Sequence, residues 1–161
     1  MAPKLSEDEI DDIIYFSRTG ETTTLLETLT TLSTREKTSP TQILNATRDD
    51  SSSTPLHMSS ANGHLETTRA ILALGPSVDA VNGHGNTALH WAALGGHLAV
   101  VRLLVESGAS AVVVNESGQM ALDMALRGDK LDVVDFFLGG KGDVGEAEME
   151  KLGLEEGHCS S

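Results

Sequence analysis

Aromatic side chains are nearly missing: the 161 residues include one Trp, one Tyr and three Phe. A core must therefore be assembled in small increments from Leu, Ile, Val and Ala. Cysteine is scarcer still. The single Cys159 lies near the C-terminal end, so no disulfide closes within the chain, and a reducing compartment fits. Positive charge is short, with 11 Lys and Arg against 24 Asp and Glu and a formal net charge of −13. Such a balance repels nucleic-acid phosphates and anionic headgroups and attracts basic partners. No apolar run approaches the ~20 residues of a membrane span. The opening "MAPKLSEDEIDD" lacks the apolar stretch of a signal peptide. The expectation is a soluble intracellular protein, monomeric, that binds neither nucleic acid nor membrane.

Catalytic constellations are absent as well. There is no Walker A pattern, no G-x-S-x-G, no Cys/His cluster at metal-ligand spacing, and no Cys beside a base. Carboxylates abound, but on a solvated surface they are the default and not a sign of acid/base work. The sequence thus points to no enzyme, no catalytic residue, no cofactor and no metal.

What is present is repetition. Residues 54–66 read "TPLHMSSANGHLE" and residues 87–99 read "TALHWAALGGHLA", an offset of 33. The offset persists in three columns: Leu56, Leu89 and Leu122; Met58, Trp91 and Met124; Leu65, Leu98 and Leu131. Thr54 and Thr87 are placed to cap a first short helix, and Gly63 and Gly96 to end it in a left-handed backbone. A second helix follows, "LAVVRLLVESG", apolar at Leu98, Val101, Leu104 and Val105 and closed by Gly108. An extended finger with a tight turn at Gly85 or Gly118 leads into the next cycle. One such unit cannot bury its apolar face alone, so neighbours must stack.

The ends diverge. "SEDE" at residues 6–9 is a capping box, followed by Ile10, Ile13 and Ile14 and a stop near Gly20. "TTTLLETLTTL" then gives a second helix with Leu25, Leu26, Leu29 and Leu32 inward. In the long link that follows, "SPTQ" predicts a short helix over Pro40–Ala46. At the first fingertip Ser52 stands where the turn glycine belongs. In the last unit Met120 replaces the capping Thr, Asp123 the first His, and "RGDK" the "GGH" corner. There "LDVVDFFL" predicts an amphipathic helix through Val133, Val134, Phe137 and Leu138. Beyond it the chain is Gly-rich and acidic, and residues 139–161 read as a flexible tail in which 146–154 could turn helical on a partner.

A period of 33 carrying T-P-L-H and G-H-L resembles the ankyrin repeat. The resemblance implies an all-α solenoid of about four helix-pair repeats with short β-hairpin finger loops. The repeat domain spans 1–138, divided into a divergent repeat at 5–48, repeats at 49–81 and 82–114, and a degraded capping repeat at 115–138. It also implies structural roles: Thr54, His57, Gly63, His64, Thr87, His90, Gly96 and His97 hold loops within and between repeats. Four histidines in pairs could instead suggest a metal site, but the repeat accounts for every one of them.

Stacked repeats present a concave strip of fingertips and first-helix faces. Here the fingers offer Asp49 and Asp50, then His84 and Asn86, then Glu116 and Gln119. Met58, Trp91 and Met124 align behind them as adaptable contact residues. Residues 54–114 are nearly neutral, whereas acid collects at both ends, with Asp8, Asp11 and Asp12 at the N-terminal one. A basic polypeptide is the expected guest. Within the family, this layout is similar to small fungal chaperones that escort the KH-domain protein of the small ribosomal subunit's head. That resemblance implies ribosome biogenesis: keeping a newly made basic protein soluble, in cytoplasm and nucleus, until assembly. A signalling adaptor or kinase-inhibitor-type ankyrin protein is the alternative.

Overall fold

The computed structural model describes residues 3–139, which form helices joined by turns and contain no strand. The expected tail lies outside the described residues, apart from Gly139. Helices α1 (Glu7–Thr19) and α2 (Thr22–Glu36) form the first pair, and α3 (Pro40–Ala46) occupies the link. Three shorter pairs follow: α4 (Pro55–Ala61) with α5 (Leu65–Ala73), α6 (Ala88–Gly95) with α7 (Leu98–Glu106), and α8 (Ala121–Arg127) with α9 (Leu131–Phe137). Helices of seven to nine residues do not persist alone in water, so packing must hold them. They stack in two rows. The inner row runs α1, α4, α6, α8 and the outer row α2, α5, α7, α9, with α3 against α2.

The core lies between the rows. Leu56, Leu89 and Leu122 are buried in register, as are Val100, Val101 and Leu104 of α7 and Val133, Val134 and Phe137 of α9. Ile13, Ile14, Leu25, Leu29 and Leu32 do the same for the first pair. The third leucine column does not hold: Leu65 and Leu98 are partly buried, but Leu131 is 71% exposed. Leu138, expected inward, is also exposed. Among the described residues no later repeat stacks on α8 and α9, so positions that a neighbour would cover face outward.

Repeat two carries polar groups where its neighbours are apolar. Ser59, Ser60, Thr67 and Thr68 stand 33 residues before Ala92, Ala93, Val100 and Val101, and all are buried. Thr68 donates to Ser59 Oγ at 2.9 Å, and Thr67 pairs with Thr22 of α2 at 2.6 Å. Ser60 Oγ, in a residue 0% exposed, has no partner among the described residues.

The fingers correct one expectation, since they are not β-hairpins. Each closes with two backbone bonds at 2.9–3.0 Å: Asp49 N–H to Ser53, Asn82 N–H to Asn86 and Asn115 N–H to Gln119, with Ser52, Gly85 and Gly118 donating back to Asp49, Asn82 and Asn115. Inside each loop a side-chain oxygen takes over. Asp49 Oδ1 accepts from the N–H groups of Ser51 and Ser53, Asn82 Oδ1 from His84 and Asn86, and Asn115 Oδ1 from Ser117 and Gln119. A ladder cannot propagate where these side chains have already occupied the donors. Ser52 keeps the fingertip shape by adopting φ 61°, beside 77° at Gly85 and 74° at Gly118.

Candidate functional site

The repeated histidines position the fingers. Thr54 and Thr87 cap α4 and α6, their hydroxyls accepting from the N–H of His57 and His90 at 3.4 Å. In return Nδ1 of each histidine accepts the capping residue's N–H at 3.1 Å. Nε2 then reaches forward to the next finger: His57 to the carbonyl of Asn86 at 2.7 Å, His90 to that of Gln119 at 2.9 Å. A carbonyl only accepts, so Nε2 carries the proton and both imidazoles use the neutral tautomer. Burial lowers the pKa of both against the bonds to those carbonyls, which act to raise it.

His64 and His97 reach the other way. Their Nε2 atoms lie 2.7 Å from the carbonyl of Arg18 and 3.0 Å from that of Ala61, each in the preceding repeat. The rings lie over glycine corners. A Cβ on Gly63 would come within 2.5 Å of the His97 ring, and φ at Gly63 is 72°. At the terminal corner Asp129 takes φ 54°, and the stem of Lys130 covers Gly96 as a histidine ring would. Asp123, standing in for the forward histidine, accepts the N–H of Met120 at 2.8 Å and so retains the cap without a forward arm.

The first finger, braced instead by Asp49 and Arg48, faces α1 across a cleft of about 260 Å³ lined by Glu7, Ile10, Asp11, Arg48, Asp49 and Asp50. Two acidic clusters some forty residues apart thereby meet. Four carboxylates line it against one guanidinium, and Arg48 Nη1 donates to the carbonyls of Ser52 and Val81, both at 2.8 Å. An ammonium or guanidinium from another chain would find net negative charge there. A larger hollow, about 580 Å³, runs along α2 and offers only one carboxylate, Glu27. Charge selects the smaller one.

The predicted contact residues divide. Asp11 and Asp50 are exposed at the cleft, whereas Asp8 and Asp12 are exposed on α1 outside its lining. Asp49 lines the cleft while bracing its own finger. Further along the strip, His84 Nδ1 and Glu116 Oε2 are exposed and 3.9 Å apart. Asn86 and Gln119 are half-buried and supply the histidines' carbonyl acceptors, and Asn86 Oδ1 also accepts from Asn115 Nδ2 at 2.8 Å. Met58 and Met124 are corrected: at 8% and 5% exposure they are buried where inner helices adjoin, with little surface left for a guest. Trp91 alone of that column stays partly exposed.

Sequence reading missed Glu7, Ile10 and Arg48. Arg48 precedes the Asx residue of its finger and aligns with Val81 and Val114, which was the available signal. It also missed the staple of the first pair. The Arg35 guanidinium on α2 pairs with Glu9 on α1 and holds its carboxyl at about 2, far below the usual range. No group of three or more His, Cys, Asp or Glu among the described residues could hold a metal ion, and no helix there is long and apolar enough to cross a membrane.

Comparison with known proteins agrees with this architecture. The sequence pattern described as ankyrin repeats (3 copies) matches residues 17–115 and 75–147. A 68-residue stretch, 42% of this chain, is 40% identical to the ankyrin repeat-containing protein YAR1 of Saccharomyces cerevisiae. That stretch spans 32% of the yeast protein's length, about a third of it. In the crystal structure of the yeast ribosomal protein Rps3 in complex with its chaperone Yar1, one chain superposes with a TM-score of 0.76 at 36% identity. The superposition covers 89% of this chain and 99% of that one. Columns, caps and overall match agree: the chain belongs to the ankyrin-repeat family.

Proposed function

We propose that this protein is a non-catalytic chaperone of a newly made, basic small-subunit ribosomal protein of the Rps3 type. The observation that carries the reading is the acidic cleft between α1 and the first finger, on a fold that matches a chain from the Rps3–Yar1 complex at 36% identity. A ribosomal protein bears Lys and Arg meant for rRNA, which before assembly would capture other polyanions. Carboxylates on a rigid cradle neutralise part of that surface reversibly, and rRNA displaces the cradle by competing for the same cations.

The binding unit is the array over 1–138, acting as a monomer in cytoplasm and nucleus. Asp11, Asp49 and Asp50 take basic side chains in the cleft, with Asp8 and Asp12 adding to its field. His84, Asn86, Glu116 and Gln119 extend the contact along the fingers. Formal charge of −13 supports a basic guest and disfavours direct contact with nucleic acid.

The test is co-expression with yeast Rps3. A soluble one-to-one complex, and suppression of Rps3 aggregation with RNA at moderate salt, are expected. Binding no tighter than to an unrelated basic peptide overturns the reading, as does a pull-down that recovers a kinase in place of a ribosomal protein.

A further inference from the structure

Trp91 has an unexplained feature. Its neighbours in the column, Met58 and Met124, are buried, whereas Trp91 on α6 keeps part of its indole at the surface. The ring packs edge-on against His57, with centroids 5.6 Å apart at 76°. That contact holds the indole by its ring. Its N–H meets no acceptor among the described residues, and it is not sealed from solvent: the sole buried side-chain polar atom lacking a partner among them is Ser60 Oγ. A Trp N–H normally finds an acceptor when its ring is covered. His57 caps α4 at Thr54, directly after Ser53, whose carbonyl closes the Asp49 finger, so Trp91 stands one ring away from the base of the finger that lines the cleft.

We infer that Trp91 is the anchor of the guest interface: a backbone carbonyl of the basic guest segment accepts the indole N–H, while the guest's cations lie in the cleft of Asp11, Asp49 and Asp50. The occupant is a segment of a basic protein because the four carboxylates of the cleft suit cations and repel acidic chains. Binding-energy hot spots are enriched in Trp held rigidly at the centre of a polar rim. The edge contact with His57 supplies that rigidity before the guest arrives. This inference rests on the chaperone reading and specifies where its affinity resides.

The chain holds a single tryptophan, so fluorescence reports on this site directly. The experiment titrates the full chain, and its Trp91→Phe and Trp91→Ala variants, with yeast Rps3. The difference between wild type and Trp91→Phe isolates the signal of Trp91 from any in the ligand. Expected are an emission shift with at least a threefold fall in acrylamide quenching, and affinity about fivefold weaker for Trp91→Phe. Trp91→Ala weakens it about 30-fold. Trp91→Phe keeps the ring against His57, so its Tm stays at the wild-type value and the affinity loss is not a folding defect. Unchanged affinity in both variants, or quenching unaltered by bound Rps3, overturns the inference while the chaperone reading stands. No binding of Rps3 by the wild-type chain overturns both.

Discussion

His57 of repeat two donates from Nε2 to the carbonyl of Asn86, 2.7 Å away and 29 residues further along the chain. One side chain thus caps its own helix and fixes the next finger. His90 repeats the arrangement on Gln119. The second and third fingers are therefore each tied to the preceding repeat by a neutral imidazole.

Acid should loosen the array in a defined window. Burial holds the pKa of His57 and His90 below the unfolded value near 6.5. The unfolded chain then binds more protons than the folded one as pH falls through 6.5. Stability contributed by the neutral rings is full above that value and is lost on the way down to the folded pKa. Urea melts should give equal midpoints at pH 7.5 and 8.5 and a lower one at pH 5.5. In the His57→Gln/His90→Gln double variant, the loss between pH 7.5 and 5.5 should shrink.

Ser60→Ala should stabilise the protein. The hydroxyl is fully buried without a partner, and the equivalent residue one repeat later is Ala93. Removing an unsatisfied buried hydroxyl while keeping the methylene should gain about 1 kcal/mol, measured by denaturant midpoint at unchanged m-value. A loss of stability would show that Ser60 has a partner in solution.

Two corner substitutions should act in opposite directions. Gly63→Ala forces a side chain into φ 72° and toward the His97 ring, at roughly 2–3 kcal/mol of destabilisation. Ser52→Gly relieves φ 61° at a fingertip where the other fingers use glycine. After the added unfolded-state entropy, about 0.5–1 kcal/mol of stabilisation should remain. Thermal melts of both variants check the pair.

Much of this was legible from the offset of 33, because stacking forces equivalent residues into equivalent surroundings. Thr54, Thr87, Gly63 and Gly96 could be placed before any coordinates, as could α3 from Ser39, Pro40 and Gln42. What the period does not reveal is which neighbour covers a column. Met58 and Met124 read as surface and are buried, while Leu138 reads as core and is exposed at the end of the described stack. Hairpin fingers are what the family resemblance implies; the residues themselves give only an extended finger with a tight turn. The Asx oxygens that consume the ladder's donors were not recognised as a column. The cleft was out of reach for another reason. Asp11 and Asp50 meet only because the long link returns the first finger to α1, and a lone Arg48 among acids reads as a solvated charge.

The most direct test of the central claim is the affinity for yeast Rps3 of wild type and the Asp11→Asn/Asp50→Asn variant, each at 50 and 200 mM salt. Both residues are exposed and Asp50 makes no bond that braces its finger, so Tm should not change. The account predicts tight wild-type binding that weakens with salt, and a variant about tenfold weaker at low salt with a shallower salt dependence. Equal affinity and equal salt dependence for the two proteins would contradict it.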